Sequence, residues 1–86
     1  MITIELFGVP RLRAGVGSVR VDAASLAAAL RGLGRLCPAL DGPVIAGGTL
    51  HPAYLACKNG AQFVSDPATP LADGDVLLVM AADVGG

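Results

Sequence analysis

The run Val76-Leu77-Leu78-Val79-Met80-Ala81-Ala82 restricts the possible folds more than any other part of the chain. Read as a strand, it places Val76, Leu78 and Met80 on one face and Leu77, Val79 and Ala81 on the other, because successive side chains of a strand point to opposite sides. Both faces are then apolar. Such a segment belongs in the middle of a sheet, and pairing in parallel with the first strand of the chain satisfies it most naturally. Asp73-Gly74-Asp75 turns the chain into this run.

The remaining segments supply what that strand needs around it. Ile2, Ile4 and Leu6 alternate with Thr3, Glu5 and Phe7, the period of a half-buried strand, and Gly8-Val9-Pro10 interrupts it. After residues 11–17, Val19 and Val21 flank Arg20 in a second short strand, and the turn residues Gly15 and Gly17 predict a hairpin between the two. From Ser25 the spacing changes: Leu26, Leu30, Leu33 and Cys37 form one apolar stripe along a helix, which Ser25 or Asp22 can cap and Pro38 should stop. Gly32 and Gly34 weaken its second half. Residues 38–52, with Pro38, Gly42, Pro43, Gly47, Gly48 and Pro52, read as a long connection holding at most a short strand around residues 44–46. Asn59-Gly60 lies between Tyr54-Leu55-Ala56-Cys57-Lys58 and Ala61-Gln62-Phe63-Val64, the strongest local hairpin signal in the chain. The order is strand, strand, helix, strand, strand, strand, an α+β arrangement with a mixed sheet and one main helix on one face. This is the pattern of a β-grasp, or ubiquitin-like roll.

Composition narrows the functional classes. Eighty-six residues make one small domain. Hydrophobic residues are 53% and charged residues 15% of the chain, a balance that excludes disorder and leaves a surface of Ala, Gly, Thr and Ser more than of ions. Residues 1–35 carry five Arg against Glu5 and Asp22, while residues 36–86 carry Lys58 against five Asp. Folding interleaves these halves, and Phe7, Tyr54 and Phe63 are too few for a base-stacking platform, so nucleic acid is not an expected partner. No stretch approaches the roughly 18 apolar residues of a membrane span and no leader pattern opens the chain, which predicts a cytoplasmic protein without a membrane partner. Cys37 and Cys57 lack a pairing motif and read as packed thiols. His51 with Cys57 falls short of the four ligands of a zinc site, so no metal is expected, and two cysteines cannot hold a cluster that needs four. Asp73 and Asp75 read as turn residues capping local amides, and Leu71 as a plug at the core's edge. Phe7 and Phe63 have two readings, core packing or an apolar docking patch.

That leaves the main chain at the end of the sequence as the place for chemistry. Gly85-Gly86 follow the apolar run after Asp83-Val84, on a short tail. The segment Leu55-Ala56-Cys57-Lys58-Asn59-Gly60, then Thr69-Pro70-Leu71-Ala72-Asp73-Gly74-Asp75-Val76, then Gly85-Gly86, resembles the second half of the MoaD/ThiS family of ubiquitin-like sulfur carriers. Ile2-Thr3-Ile4-Glu5-Leu6-Phe7-Gly8 with Arg11 resembles the family's first strand and following loop. The chain departs from the family at Lys58, where an apolar residue is common, and at Ala81-Ala82-Asp83, where the molybdopterin branch usually has a Pro-Pro pair.

The resemblance implies a carrier rather than an enzyme, built as a β-grasp domain of residues 1–82 and a tail of residues 83–86, with no bound cofactor. A ubiquitin-activating-type adenylyltransferase, using ATP and Mg, would join the Gly86 carboxylate to AMP. A persulfide donor would then displace AMP and leave a thiocarboxylate. A glycine carboxylate is an anion at neutral pH and a poor electrophile, so activation is chemically required. Without a Cβ, Gly85 and Gly86 suit a narrow active-site channel. Asp83 to Gly86 fully extended reach roughly 13 Å at about 3.3 Å per residue. Phe7, Phe63, Asp83 and Val84 would contact the partner. The sulfur acceptor implied first is a molybdopterin precursor, with the large subunit of molybdopterin synthase as a further partner. Carriers for thiamine, cysteine or specialised metabolites, and protein modifiers joined to lysines, share the same parts.

Overall fold

The structure is a computed structural model that describes residues 1–83. The apolar run forms β7, Val76–Ala81, and occupies the middle of a five-stranded sheet ordered β2-β1-β7-β5-β6. β1, Ile2–Leu6, runs parallel to it with Ile4 opposite Leu77 and Leu6 opposite Val79. β5, Tyr54–Lys58, runs antiparallel on its other edge, from Tyr54 opposite Ala81 to Lys58 opposite Leu77. Leu77, Val79 and Ala81 are buried while Val76, Leu78 and Met80 are half-buried, so among the described residues only one of the two apolar faces is fully covered.

That cover is α2, Leu26–Leu36. Ser25 is its cap, with Oγ accepting from the Ala28 amide at 3.2 Å, so Asp22 is not needed for this role. Leu26, Leu30, Leu33 and Cys37 are all buried and pack in one core with Ile2, Ile4, Leu6, Leu77 and Val79. Gly32 brings the helix close to β2, Ser18–Val21, since a Cβ there would stand 3.3 Å from a Val21 methyl. The helix ends before Pro38, and a 3-10 turn, Pro38–Leu40, seats the buried Leu40.

β1 and β2 pair antiparallel as expected, with Ile2 opposite Val21 and Glu5 opposite Ser18. Their connection is not a simple turn, however, because it contains α1, Val9–Ala14. Pro10 sits in the first turn of this helix, where a missing N–H costs nothing, so the residue that reads as a strand breaker is also a helix starter. Gly15, with φ 76°, closes it in the left-handed region.

Residues 41–53 hold more structure than the sequence predicts. β3, Ile45–Ala46, and β4, Thr49–Leu50, make a separate two-stranded ribbon. It lies against α2 at Gly48, where a Cβ would come within 2.8 Å of the Ala27 Cβ. β5 and β6, Gln62–Val64, form the predicted hairpin. Asn59 and Gly60 have φ of 54° and 68°, and the Ala61 amide donates to Lys58 O at 3.1 Å. The loop of residues 65–75 is tied to the start of α2 by Leu26 N donating to Thr69 O, Ala27 N to Pro67 O and Leu71 N to Ala24 O, all 2.9–3.0 Å. Leu71 is buried there, the edge plug expected of it.

Candidate docking face and tail root

Strand alternation fixes what the uncovered face of the sheet carries. With Leu77 and Val79 turned toward α2, Val76, Leu78 and Met80 face outward, and the register sets Leu55 beside Met80, Cys57 beside Leu78, and Phe63 beside Cys57. On β1 the same face shows Thr3 and Glu5, opposite Val76 and Leu78. The result is a continuous apolar surface across β7, β5 and β6, with Phe63 65% exposed and Leu55 36% exposed. Phe7, just beyond β1, is 53% exposed. The core-packing reading is therefore wrong for both phenylalanines: Phe7 continues the outward positions Thr3 and Glu5, and Phe63 lies across from Cys57 on the side that α2 does not reach.

β7 ends at one end of this sheet, and Asp83 is the last described residue beyond it. Phe7 N donates to Val79 O at 3.0 Å and Ala82 N donates to Ala53 O at 2.7 Å, so the chain is held on both sides until Ala82. Val9, Ala53, Tyr54, Ala81, Ala82 and Asp83 line a shallow hollow at this tail root. Asp83 lies in an exposed turn with Ala82. Val84, Gly85 and Gly86, to which sequence reasoning assigns partner contact and the acyl chemistry, lie outside the described residues.

The opposite end of the sheet is a polar clasp. Asn59 Nδ2 donates to Asp75 Oδ1 at 3.0 Å, Asn59 Oδ1 accepts from Val76 N at 2.8 Å, and Asp75 Oδ2 accepts from Ala72 N at 2.8 Å. The Ala72 amide and then the Asn59 side chain hold the Asp75 carboxyl below its ordinary range. Asp73 is lowered by its hydrogen bond and attraction to the Met1 amine, 2.6 Å away. Asp75 thus caps a local amide as its spacing suggests, whereas the Asp73 carboxylate pairs with the Met1 amine instead of a local amide. Lys58 Nζ donates to Pro70 O at 3.3 Å and lies 3.9 Å from Asp75 Oδ2. Lys58 keeps the register of β5, opposite Leu77 on one side and Gln62 on the other.

The other reactive side chains are dispersed. Cys37 is buried beneath α2, and burial pushes its thiol pKa up. Cys57 is 8% exposed on the outer sheet face, and His51 is half-buried on the β4–β5 connection. Among the described residues no three His, Cys, Asp or Glu side chains are grouped to hold a metal. None of the described helices is long and apolar enough to cross a membrane. Leu55, Leu78 and Met80 are the site residues that sequence reasoning missed. Their signal was present, because a strand apolar on both faces in a chain with one main helix must leave one face for something else.

The topology, with the last strand inserted beside the first and one helix across the sheet, makes this chain a ubiquitin-like β-grasp protein. No protein-family model matches the sequence, and no curated protein matches it either. Solved structures do. SAMP1 of Haloferax volcanii is 28% identical, with 99% of this chain and 98% of that one covered at a TM-score of 0.84. The Haloferax volcanii HVO 2177 protein is 31% identical, with 99% and 85% covered and a TM-score of 0.75. The Amycolatopsis orientalis BexX/CysO complex is 19% identical over 100% of both chains at a TM-score of 0.82, a likeness of fold.

Proposed function

We propose that this protein is a ubiquitin-like sulfur carrier whose Gly86 carboxylate is adenylated by a partner enzyme and converted to a thiocarboxylate. The observation that carries the reading is the placement of an uncovered apolar sheet face and the tail root on the same strand, β7. A partner gripping Leu55, Phe63, Leu78 and Met80 has the outgoing chain beside it. Large exposed apolar patches on small domains mark such interaction sites. Phe7 and Asp83 lie near the end of β7, and Val84 is assigned to the partner contact from the sequence.

The chemistry divides between the two proteins. The partner, of the ubiquitin-activating type, supplies ATP and Mg and forms the mixed anhydride of Gly86 with AMP. The outer sulfur of a persulfide donor attacks that carbonyl and AMP leaves; a second thiol then cleaves the S–S bond of the resulting acyl disulfide, forming a disulfide with the donor's inner sulfur and releasing the thiocarboxylate that carries the sulfur onward. The carrier contributes position: a rigid sheet to hold and a Gly-Gly end narrow enough for an active-site channel. The acceptor is an intermediate of cofactor biosynthesis, for which the MoaD/ThiS resemblance favours a molybdopterin precursor and the large subunit of a molybdopterin synthase as receiver.

Intact-mass measurement after incubation with the cognate activating enzyme, ATP and a sulfur donor tests the proposal. The expected result is a gain equal to the replacement of one oxygen by sulfur, mapped to Gly86 and lost when Gly86 is deleted. An unchanged mass with an enzyme active on another carrier overturns it. A second reading is favoured by the likeness to small archaeal modifier protein 1 of Haloferax volcanii, 27% identical at a TM-score of 0.80. In it, the same activated carboxylate is joined to lysines of other proteins, and high-mass conjugates dependent on Gly86 distinguish it.

A further inference from the structure

We infer that Lys58, the one lysine of the sequence, is withheld from the protein's own activated C-terminal acyl group, so that the folded chain does not link to itself through it. The inference rests on the acyl-donor reading above for its biological meaning, and its geometry stands on the described residues. The sequence contains one lysine, Lys58. Five arginines supply the remaining cationic side chains, and these keep positive charge without offering an amine to an activated carboxyl.

Two features withhold Lys58. The first is position. The register pairs Tyr54 with Ala81 and Lys58 with Leu77, so the tail leaves from one end of the β5–β7 pair and the lysine stands at the other, four residues or about 13 Å along the strand. Residues 82–86 span at most roughly 17 Å when fully extended. Capture within one molecule would need nearly that full length laid back along the domain. The second is engagement. Nζ donates to Pro70 O at 3.3 Å and lies 3.9 Å from Asp75 Oδ2, with the side chain 24% exposed. Pro70 is itself bridged to Ser25, and the flanking residues bond to the start of α2, so this acceptor is fixed. An ammonium shared with a fixed carbonyl and a neighbouring carboxylate must break those contacts and lose a proton before it can present a lone pair.

The step avoided is simple acyl transfer. The neutral lysine nitrogen would attack the carbonyl carbon of an activated Gly86, the bond from that carbon to its AMP or thiol leaving group would break, and the nitrogen would release a proton to water. An isopeptide would remain. A carrier that permitted this would consume itself whenever sulfur or an outside acceptor was slow to arrive.

A C-terminal thioester of the full chain, generated by intein cleavage, tests the inference without any activating enzyme, so a failure of the proposed adenylation does not affect the result. Incubated folded at mildly alkaline pH, the thioester is expected to decay by hydrolysis, with the Lys58 peptide unmodified in a digest. In urea the same thioester should acylate Lys58 at least about tenfold faster, because unfolding removes both constraints. Ala53→Lys, which puts an amine at the tail root on an exposed position, should give a folded product that has cyclised. Formation of Lys58-linked dimers or rings by the folded chain as fast as in urea overturns the inference, whatever Ala53→Lys does.

Discussion

Asn59 joins three roles that its single-letter neighbourhood suggests only in part. Its φ of 54° makes the hairpin turn, its amide nitrogen holds Asp75, and its amide oxygen takes the first N–H of β7. The hairpin signal of Asn-Gly predicts the turn, while the reach across to Asp75 is a tertiary contact that local pattern does not encode. Asn59→Gly keeps the left-handed backbone and removes only the side-chain bonds, so it is expected to cost about 1–2 kcal/mol, measured by urea denaturation at neutral pH. Asp75 adds a dependence on acid. Its pKa is lower folded than unfolded, so its stabilisation is present above the unfolded value of about 3.9 and is lost as pH falls through the folded value. The urea midpoint should therefore hold from neutral pH to about pH 5 and decline below about pH 4, and Asp75→Asn should shallow that decline. Phe7 and Phe63 show the limit of residue-level reading: hydropathy favours burial for both, and only the register shows that they face away from α2.

At the scale of elements, α2 follows from its sequence almost completely. The stripe Leu26, Leu30, Leu33 and Cys37 is buried, Ser25 caps it and Pro38 ends it, because periodicity, capping and proline sterics all act within a few residues. Leu30 is fully buried at the centre of that stripe. Leu30→Ala should destabilise the domain by about 2–5 kcal/mol, read from chemical denaturation with an unchanged m-value. α1 and β4 were not legible, although the short strand expected around residues 44–46 is β3. α1 is six residues long, too short for an amphipathic period to show. The ribbon depends on α2 for its place, with Gly48 close against Ala27, so its stability lies in packing that the local sequence does not carry. The two glycines in α2 read differently once folded: Gly32 costs helix propensity, and the same missing Cβ lets the helix approach Val21.

The molecule as a whole puts its covered and uncovered faces on one strand. Leu55 and Phe63 lie outside the core and are solvent-exposed, so Leu55→Asp and Phe63→Asp should leave the fold within about 0.5 kcal/mol of wild type. The same two changes are expected to lower the efficiency of activation by the partner enzyme at least about tenfold, the effect of a lost interfacial anchor, as measured by ATP–pyrophosphate exchange. The face was legible in the double-sided hydropathy of residues 76–81, and its use was not, because sequence alone does not say which side the single helix takes. Inserting β7 between β1 and β5 has a consequence during synthesis. A nascent chain halted before Val76 has two outer halves of a sheet and no strand to pair them, since β1 meets β5 only through β7. Cooperative closure waits for long-range pairing that spans almost the entire polypeptide. Translation must deliver residues 76–81 before the sheet face that the proposed partner would grip exists.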